Sequence, residues 1–422
     1  MIGTAAVRAL FSRSGGIGRA FSNRNFRIWT TGNVFSLIGT WIQRVAVGWL
    51  TWELTKSGAW LGLMASAEFL PSIFAGPLGG AVADRVDKIN LTRICQILLG
   101  IQAFVLGGLT LADSITPEIL FLLTLVFGIV TAFNQPSRLS LIAVLVRRED
   151  ISAAVAINSI MWNGARFVGP AIAGGLIVWV GVGWTFMVKA ATILIFLFSI
   201  SLLRLPPVPS KQSTVSMWRE ITEGFAYVFR HPAIGPLLLV LVAGSVFARP
   251  FAELLPGFAD AVFGHGADGL AILTSATGLG AMIGGIWLGQ RGRLGGQTGI
   301  SITSTLLLSL GLLGFCATDV FWIGAASLVV AGFGMVVHGV TTQSLIQHAC
   351  DPAMLGRTLS IYGLSFRAGP ALGAIVMGAA SDFVGLRAPV AVGAVLCIAV
   401  WAWAITRRES LAGMLEATEK EG

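Results

Sequence analysis

Charged side chains set inside long apolar runs are the residues with which this chain can do chemistry, and Arg44 and Glu68 form the sharpest pair. Arg44 precedes Trp52, and Glu68 follows Gly58, by distances that place both roughly 12–15 Å deep in a helical hairpin at 1.5 Å per residue. An unpaired carboxylate at that depth is costly. Glu68 therefore either forms a buried ion pair with Arg44 or takes up a proton, and the second option is the one proton coupling uses. Arg249 and Glu253 share one helical face as an i,i+4 pair, with Pro250 and Pro256 set to distort the helix around them. They fit an ion pair lining a wet cavity as well as a coupling pair. Arg166, just before Gly169-Pro170, can attract an anionic substrate or neutralise a nearby acid, as can its near-equivalent Arg367.

Uncharged polar groups add a pattern. Asn33, Ser36, Thr40 and Gln43 follow one another at helical spacing and make a polar stripe on an otherwise apolar helix. Related groups occur in the fourth apolar run (Thr131, Asn134, Gln135), the seventh (Ser245 beside Arg249) and the tenth (His338, Thr341, Thr342, Gln343). Unsatisfied polar groups in hydrocarbon cost several kcal/mol, so these stripes face either a central aqueous cavity or one another through interhelical hydrogen bonds. His338, the one histidine deep in a run, fits a hydrogen-bonded packing residue better than a proton relay. His231, His265 and His348 have no metal-ligand spacing, and Cys95, Cys316, Cys350 and Cys397 form no CxxC, so neither a metal nor a cofactor is expected. No nucleophile and base converge, which argues against an enzyme embedded in the membrane.

The elements that position these residues follow from composition. Of the 422 residues, 55% are hydrophobic and 11% charged, against roughly 25% charged in soluble domains. Apolar runs long enough for a ~30 Å hydrocarbon core recur about twelve times, near 26–52, 58–82, 91–112, 118–144, 151–180, 184–204, 233–258, 268–290, 298–317, 321–346, 356–383 and 387–406. With the N-terminus in the cytoplasm, most of the 28 Lys and Arg fall at the cytoplasmic side, Arg138, Arg147 and Arg148 counted as one group among them, while only Lys56 and Arg387 fall in outside loops. That asymmetry obeys the positive-inside rule and places both termini in the cytoplasm. The net charge of +8 is thus topological, giving little reason to expect nucleic acid as a partner and more to expect anionic lipid.

The architecture repeats at an offset of about 205 residues: Gly39–Arg44 aligns with Gly244–Arg249, Gly80 with Gly285, and Gly169-Pro170 with Gly369-Pro370. Five segments result: a basic tail at 1–25, a six-helix bundle at 26–204, a linker at 205–232, a second bundle at 233–406 and a tail at 407–422. The linker opens on Pro206, Pro207 and Pro209 and then carries Trp218, Ile221, Phe225, Val228 and Phe229 at helical spacing, an amphipathic helix suited to the membrane interface. Trp49, Trp52 and Trp60 read as interfacial anchors. The fold class is an all-α polytopic membrane protein, twelve helices in two pseudo-symmetric bundles.

At these residues the chain resembles the major facilitator superfamily. Gly80-Ala-Val-Ala-Asp84-Arg85-Val-Asp87-Lys88 is similar to that superfamily's G-x-x-x-D-R-x-G-R/K signature, with Asp87 where Gly is usual, and the resemblance implies that Asp84, Arg85 and Lys88 form a cytoplasmic latch. Gly169-Pro170 through Gly174 resembles the G-P-x-x-G-G signature of drug:proton antiporters, and Thr40–Arg44 with Phe69–Pro71 and Arg249–Pro256 looks most like the enterobactin-exporter-like branch. The Arg usual in the middle of the fourth span is missing, nothing basic lying between Pro117 and Ser137; Arg44 or Arg166 is the substitute the resemblance offers. The expectation is a monomeric exporter in a bacterial inner membrane that moves small amphipathic or siderophore-like molecules by proton-coupled alternating access. An uptake symporter or a lysolipid flippase would share every feature above.

Overall fold

Helix starts are set by local chemistry that the computed structural model, which describes residues 15–75, 79, 82, 86–203, 217–292, 295–352 and 354–416, makes explicit. The helices are α1 (Gly15–Ser22), α2 (Arg24–Thr55), α3 (Gly58–Phe69), α4 (Lys88–Leu111), α5 (Pro117–Leu145), α6 (Ile151–Ser201), α7 (Met217–Arg230), α8 (Ile234–Ala243), α9 (Phe251–Gly257), α10 (Gly266–Arg291), α11 (Gln297–Ala317), α12 (Phe321–Ala349), α13 (Leu355–Val384), α14 (Arg387–Ile405) and α15 (Arg408–Leu415). Ser57 caps α3 by accepting from the Trp60 N–H, Asp87 caps α4 from Asn90, and Thr116 caps α5 from Ile119 ahead of Pro117. Each side-chain acceptor takes one of the N–H groups that a helix start leaves without a partner. No strand occurs among the described residues, as hydrocarbon demands of any chain that is not a closed barrel.

Ten segments among the described residues are long and apolar enough to cross a membrane. One of them, Arg148–Ser201, is really two, because Gly181 breaks the helix with φ 83 and ψ 167, a conformation that costs glycine little. Helix α2 has the length but carries the polar stripe that lowers its hydropathy. Counting it, and dividing α6 at Gly181, the crossings number twelve. Large apolar side chains stay exposed along them, Phe104, Leu194, Phe198 and Val376 among many, which suits lipid and not water. Near Pro250 and Pro256, which lack an N–H, the helix loosens into two π-helical segments, Gly244–Ala248 and Phe258–Val262.

Two compact units emerge: Met1–Val47 with Phe74–Ser213, and Gly48–Ile73 with Thr214–Gly422. The first is built around Phe26, Trp29, Ile142, Phe196 and Ile200, with a second cluster of Leu99, Phe127 and Ile193. The second holds Ile234, Leu237, Leu241, Leu345 and Ile346, together with the hairpin at 48–73, whose α3 packs along α13. The amphipathic α7 docks on this unit: Phe225 and Tyr227 pack on its core, Arg357 bonds Glu223 at 2.8 Å, and Asp351 N–H donates to the Tyr227 hydroxyl at 3.1 Å. Two sequence readings need correction. Arg138 is no loop charge; it lies inside α5, half-buried, held by Asn33 and the Ser36 hydroxyl. Trp52 is no interfacial anchor: it is buried at 5% exposure, its indole N–H donating to Asp260 at 2.8 Å.

Candidate functional site

The polar stripe of α2 becomes one wall of a cavity in the first unit. Ser36 and Thr40 line it with Gln96 from α4, Thr131, Asn134, Gln135 and Arg138 from α5, and Asn158 and Trp162 from α6, around about 560 Å³ of empty volume that is open to solvent. Helical spacing explains the set, since residues three and four apart share a face. Asn33 joins from behind the wall, accepting from Arg138 and donating to Asn158 at 3.4 Å. Gln96 donates to Asn134 at 3.3 Å, leaving its own buried amide oxygen without a hydrogen-bond partner. Gln43, one turn beyond Thr40, turns away from the cavity and bonds Gln102 at 3.0 Å, which bonds the Leu123 carbonyl in turn. That residue serves helix packing.

Arg44 and Arg166 meet around one ring. The Arg44 guanidinium carbon lies 4.6 Å and that of Arg166 5.6 Å from the Trp41 centroid, and Trp41 packs edge-on to Trp162 of the cavity wall at 6.1 Å. A cation over an indole face gains roughly 0.5–2 kcal/mol, more as water is excluded. Gly169 makes this arrangement possible: a Cβ there would come 2.5 Å from the Trp41 Cβ. In the second unit Gly369 does the same against Ser245, whose Cβ would lie 2.6 Å away. Both Gly-Pro steps are thus sites where a helix with an internal proline presses on the first helix of its own repeat, Pro170 and Pro370 sitting inside α6 and α13.

The second unit holds a different cluster. Arg249 stacks 3.6 Å from the Phe366 centroid and reaches the Phe366 carbonyl at 3.5 Å, while Tyr362 stacks on Phe366 and donates to the Gly339 carbonyl. His338 is buried, its Nδ1 within 3.0 Å of the Ser301 carbonyl and 3.1 Å of the Ser301 hydroxyl, which also bonds Thr342. A ring nitrogen beside a carbonyl carries the proton, so Nε2 is an acceptor, and it is buried without a partner. The Ser245 hydroxyl is likewise buried without one. Glu253 is half-buried on α9, a turn from Arg249, and Gln343 is half-buried on α12. Glu68 is half-buried near the end of α3.

Of the latch residues, Gly80, Asp84 and Arg85 lie outside the described residues. Lys88 opens α4, its carbonyl accepting from Thr92 and from Ser137. Asp87 explains its own departure from the signature, because a carboxylate at that position caps α4 at 2.8 Å. Sequence reasoning missed four residues here. Arg138 and Lys189 stand at the cavity. Asp260 and Asp382 tie the α2–α3 turn within the second unit: Asp260 accepts from Trp52 and from Lys56, each at 2.8 Å, and Asp382 from the Ser57 hydroxyl and the Gly58 N–H, each at 2.7 Å. The only signal for the carboxylates was their place at helix ends.

Twelve apolar helices among the described residues, with buried polar groups such as Asn33, Gln96, Asn134, Lys189, Ser245, Ser301 and His338 set within them, fit a polytopic membrane transporter of the major facilitator type. A family model described as a transmembrane secretion effector matches residues 19–418, and the chain belongs to that family. It is 28% identical to the enterobactin exporter EntS of Shigella flexneri over 316 residues, 73% of each chain. With macrolide efflux protein A of Streptococcus pyogenes it shares 22% over 368 residues, 86% of this chain and 90% of the other. Among solved structures, a bacterial homolog of the human lysosomal transporter Spinster, inward-facing and unoccupied, superposes with TM-score 0.70 at 16% identity over 92% of this chain and 97% of the other. A POT family transporter in complex with 5-aminolevulinic acid gives TM-score 0.73 at 13% identity over 93% and 97%. This protein is an integral membrane transporter, not an enzyme, and it takes a small-molecule substrate.

Proposed function

We propose that the chain is a proton-driven exporter of small amphipathic molecules, working as a monomer in a bacterial inner membrane with both termini in the cytoplasm. The observation that carries this reading is the cavity of the first unit, polar along α2 and α5 and aromatic at Trp162, in a chain whose relatives include exporters of a siderophore and of macrolides. A pocket that combines polar groups with apolar side chains suits cargo with both characters. Export proceeds by alternating access, Asp84, Arg85 and Lys88 forming the cytoplasmic latch. Glu68 is the coupling carboxylate, and Arg44, Arg166, Arg249 and Glu253 are the other charged groups that can take part in coupling; a carboxylate in the membrane is the group whose protonation a gradient can drive.

The test is gradient-driven flux of dyes, drugs and siderophores in proteoliposomes, wild type against Glu68→Gln. Loss of gradient-driven flux with exchange retained supports Glu68 as the coupling group. Normal flux in Glu68→Gln removes that role and moves coupling to Glu253. Accumulation on the side into which protons flow, in oriented vesicles, overturns export in favour of uptake.

A further inference from the structure

Two positive charges at the cavity take no part in the coupling scheme above. Lys189, on the second half of α6, is 1% exposed, and its ammonium donates to the Thr40 hydroxyl at 3.1 Å and the Ser36 carbonyl at 3.5 Å. Arg138, on α5 in the cavity wall, reaches the same serine, its guanidinium donating to the Ser36 hydroxyl at 3.5 Å and to Asn33. The guanidinium also lies over the Phe196 ring at 4.8 Å. Among the described residues every hydrogen-bond partner of these two cations is neutral. Neutral dipoles orient a buried charge without cancelling it, and holding an ion out of water costs several kcal/mol unless an opposite charge offsets it. Two cations therefore converge on one serine of the cavity wall, Arg138 lining the cavity and Lys189 buried beside it. The lining mixes polar Gln96, Thr131, Asn134, Gln135 and Asn158 with apolar Leu37, Leu99, Phe127 and Trp162.

A chamber with a cationic corner, neutral polar groups and an apolar patch suits a molecule that carries one anionic group on an otherwise apolar body. We propose that this cavity is an anion-binding subsite: the carboxylate or acidic phenolate of an otherwise apolar cargo bonds Arg138 under the field of Lys189, and its apolar body lies against Phe127 and Trp162. The inference names the cargo class for the export reading and rests on it for the word cargo; the anion site itself stands apart.

The test uses 2-naphthoate and 2-naphthamide, matched in shape and different in charge, titrated calorimetrically into the full chain in phosphatidylcholine nanodiscs and corrected with empty discs. Naphthoate is expected to bind about 10-fold or more tightly than the amide, and Arg138→Gln and Lys189→Gln each to reduce that preference about 10-fold, since charge-assisted bonds are roughly twice as strong as neutral ones. Lys189→Arg is expected to keep it. Equal affinity of the two probes in wild type, no binding of either, or a preference that survives both Gln variants overturns the site. If Lys189→Gln does not fold, Arg138→Gln decides alone. Discs containing phosphatidylglycerol separate two sources of the same anionic chemistry: competition assigns the resident group to lipid headgroups, and its absence to soluble cargo. Gradient-driven efflux of 2-naphthoate from proteoliposomes of the same protein keeps the two readings distinct. Its failure beside intact naphthoate selectivity counts against export and leaves the subsite standing.

Discussion

Asp260 shows how differently two hydrogen bonds to one carboxylate oxygen weigh. The indole of Trp52 is buried and has no water to turn to, whereas Lys56 is exposed and solvated when released. Leaving a buried donor unpaired costs about 1–3 kcal/mol, and an exposed ion pair contributes roughly 0–1 kcal/mol. Asp260→Ala is therefore expected to lower the thermal unfolding midpoint in nanodiscs clearly more than Lys56→Ala; equal shifts would mean that the ion pair, not the indole, is the anchor. At this scale legibility divided by partner distance. The stripe Asn33, Ser36 and Thr40 could be read because its spacing is local. Arg138 could not, for its partners Asn33 and Ser36 lie more than a hundred residues earlier, and nothing in a linear pattern distinguishes a loop arginine from one drawn inward by a distant amide. Trp52 misled for the same reason, since an indole near a span's end anchors in headgroups unless a carboxylate from elsewhere takes its N–H.

Among elements, the helices were readable because some 20 consecutive apolar residues leave few alternatives. The break in α6 at Gly181 and the distortion near Pro250 and Pro256 were equally visible, being backbone properties of single residues. What the pattern does not carry is how helix ends are closed from outside their own sequence. Glu416, beyond α15, accepts from the Gly296 N–H at 2.7 Å and the Thr298 N–H at 2.8 Å, capping α11. Partial burial alone would raise its pKa, but the bonds from Thr298 and Gly296 and the nearby Arg408 charge outweigh burial and hold it below the usual carboxylate value. With the folded pKa depressed, the cap's contribution is fully present above the unfolded value of about 4.3 and fades as pH falls through the folded one. Unfolding midpoints are expected to separate wild type from Glu416→Gln at pH 7 and to converge under acid; a constant gap would show that charge is not what the cap uses.

At the scale of the whole molecule, orientation is the property that charge counting proposes and geometry alone does not decide. The four native cysteines are buried, which leaves a quiet background for labelling. An impermeant maleimide is expected to modify Asp113→Cys and Asp319→Cys in intact cells and Glu149→Cys only after permeabilisation; the opposite pattern would invert the topology and, with it, the direction of export. The repeat was legible at this scale because its landmarks, Gly169-Pro170 and Gly369-Pro370, do the same packing work in each copy.

The cap on α3 also orders events in the life of the chain. Ser57 and Gly58 leave the ribosome early, yet the carboxylate that receives their hydroxyl and N–H belongs to Asp382, which follows Gly58 by 324 residues. At roughly 5–20 residues per second, the first hairpin waits tens of seconds for that partner. Through this interval the start of α3 has only Ser57 to close it, so a nascent chain stalled short of Asp382 presents an incompletely capped helix end.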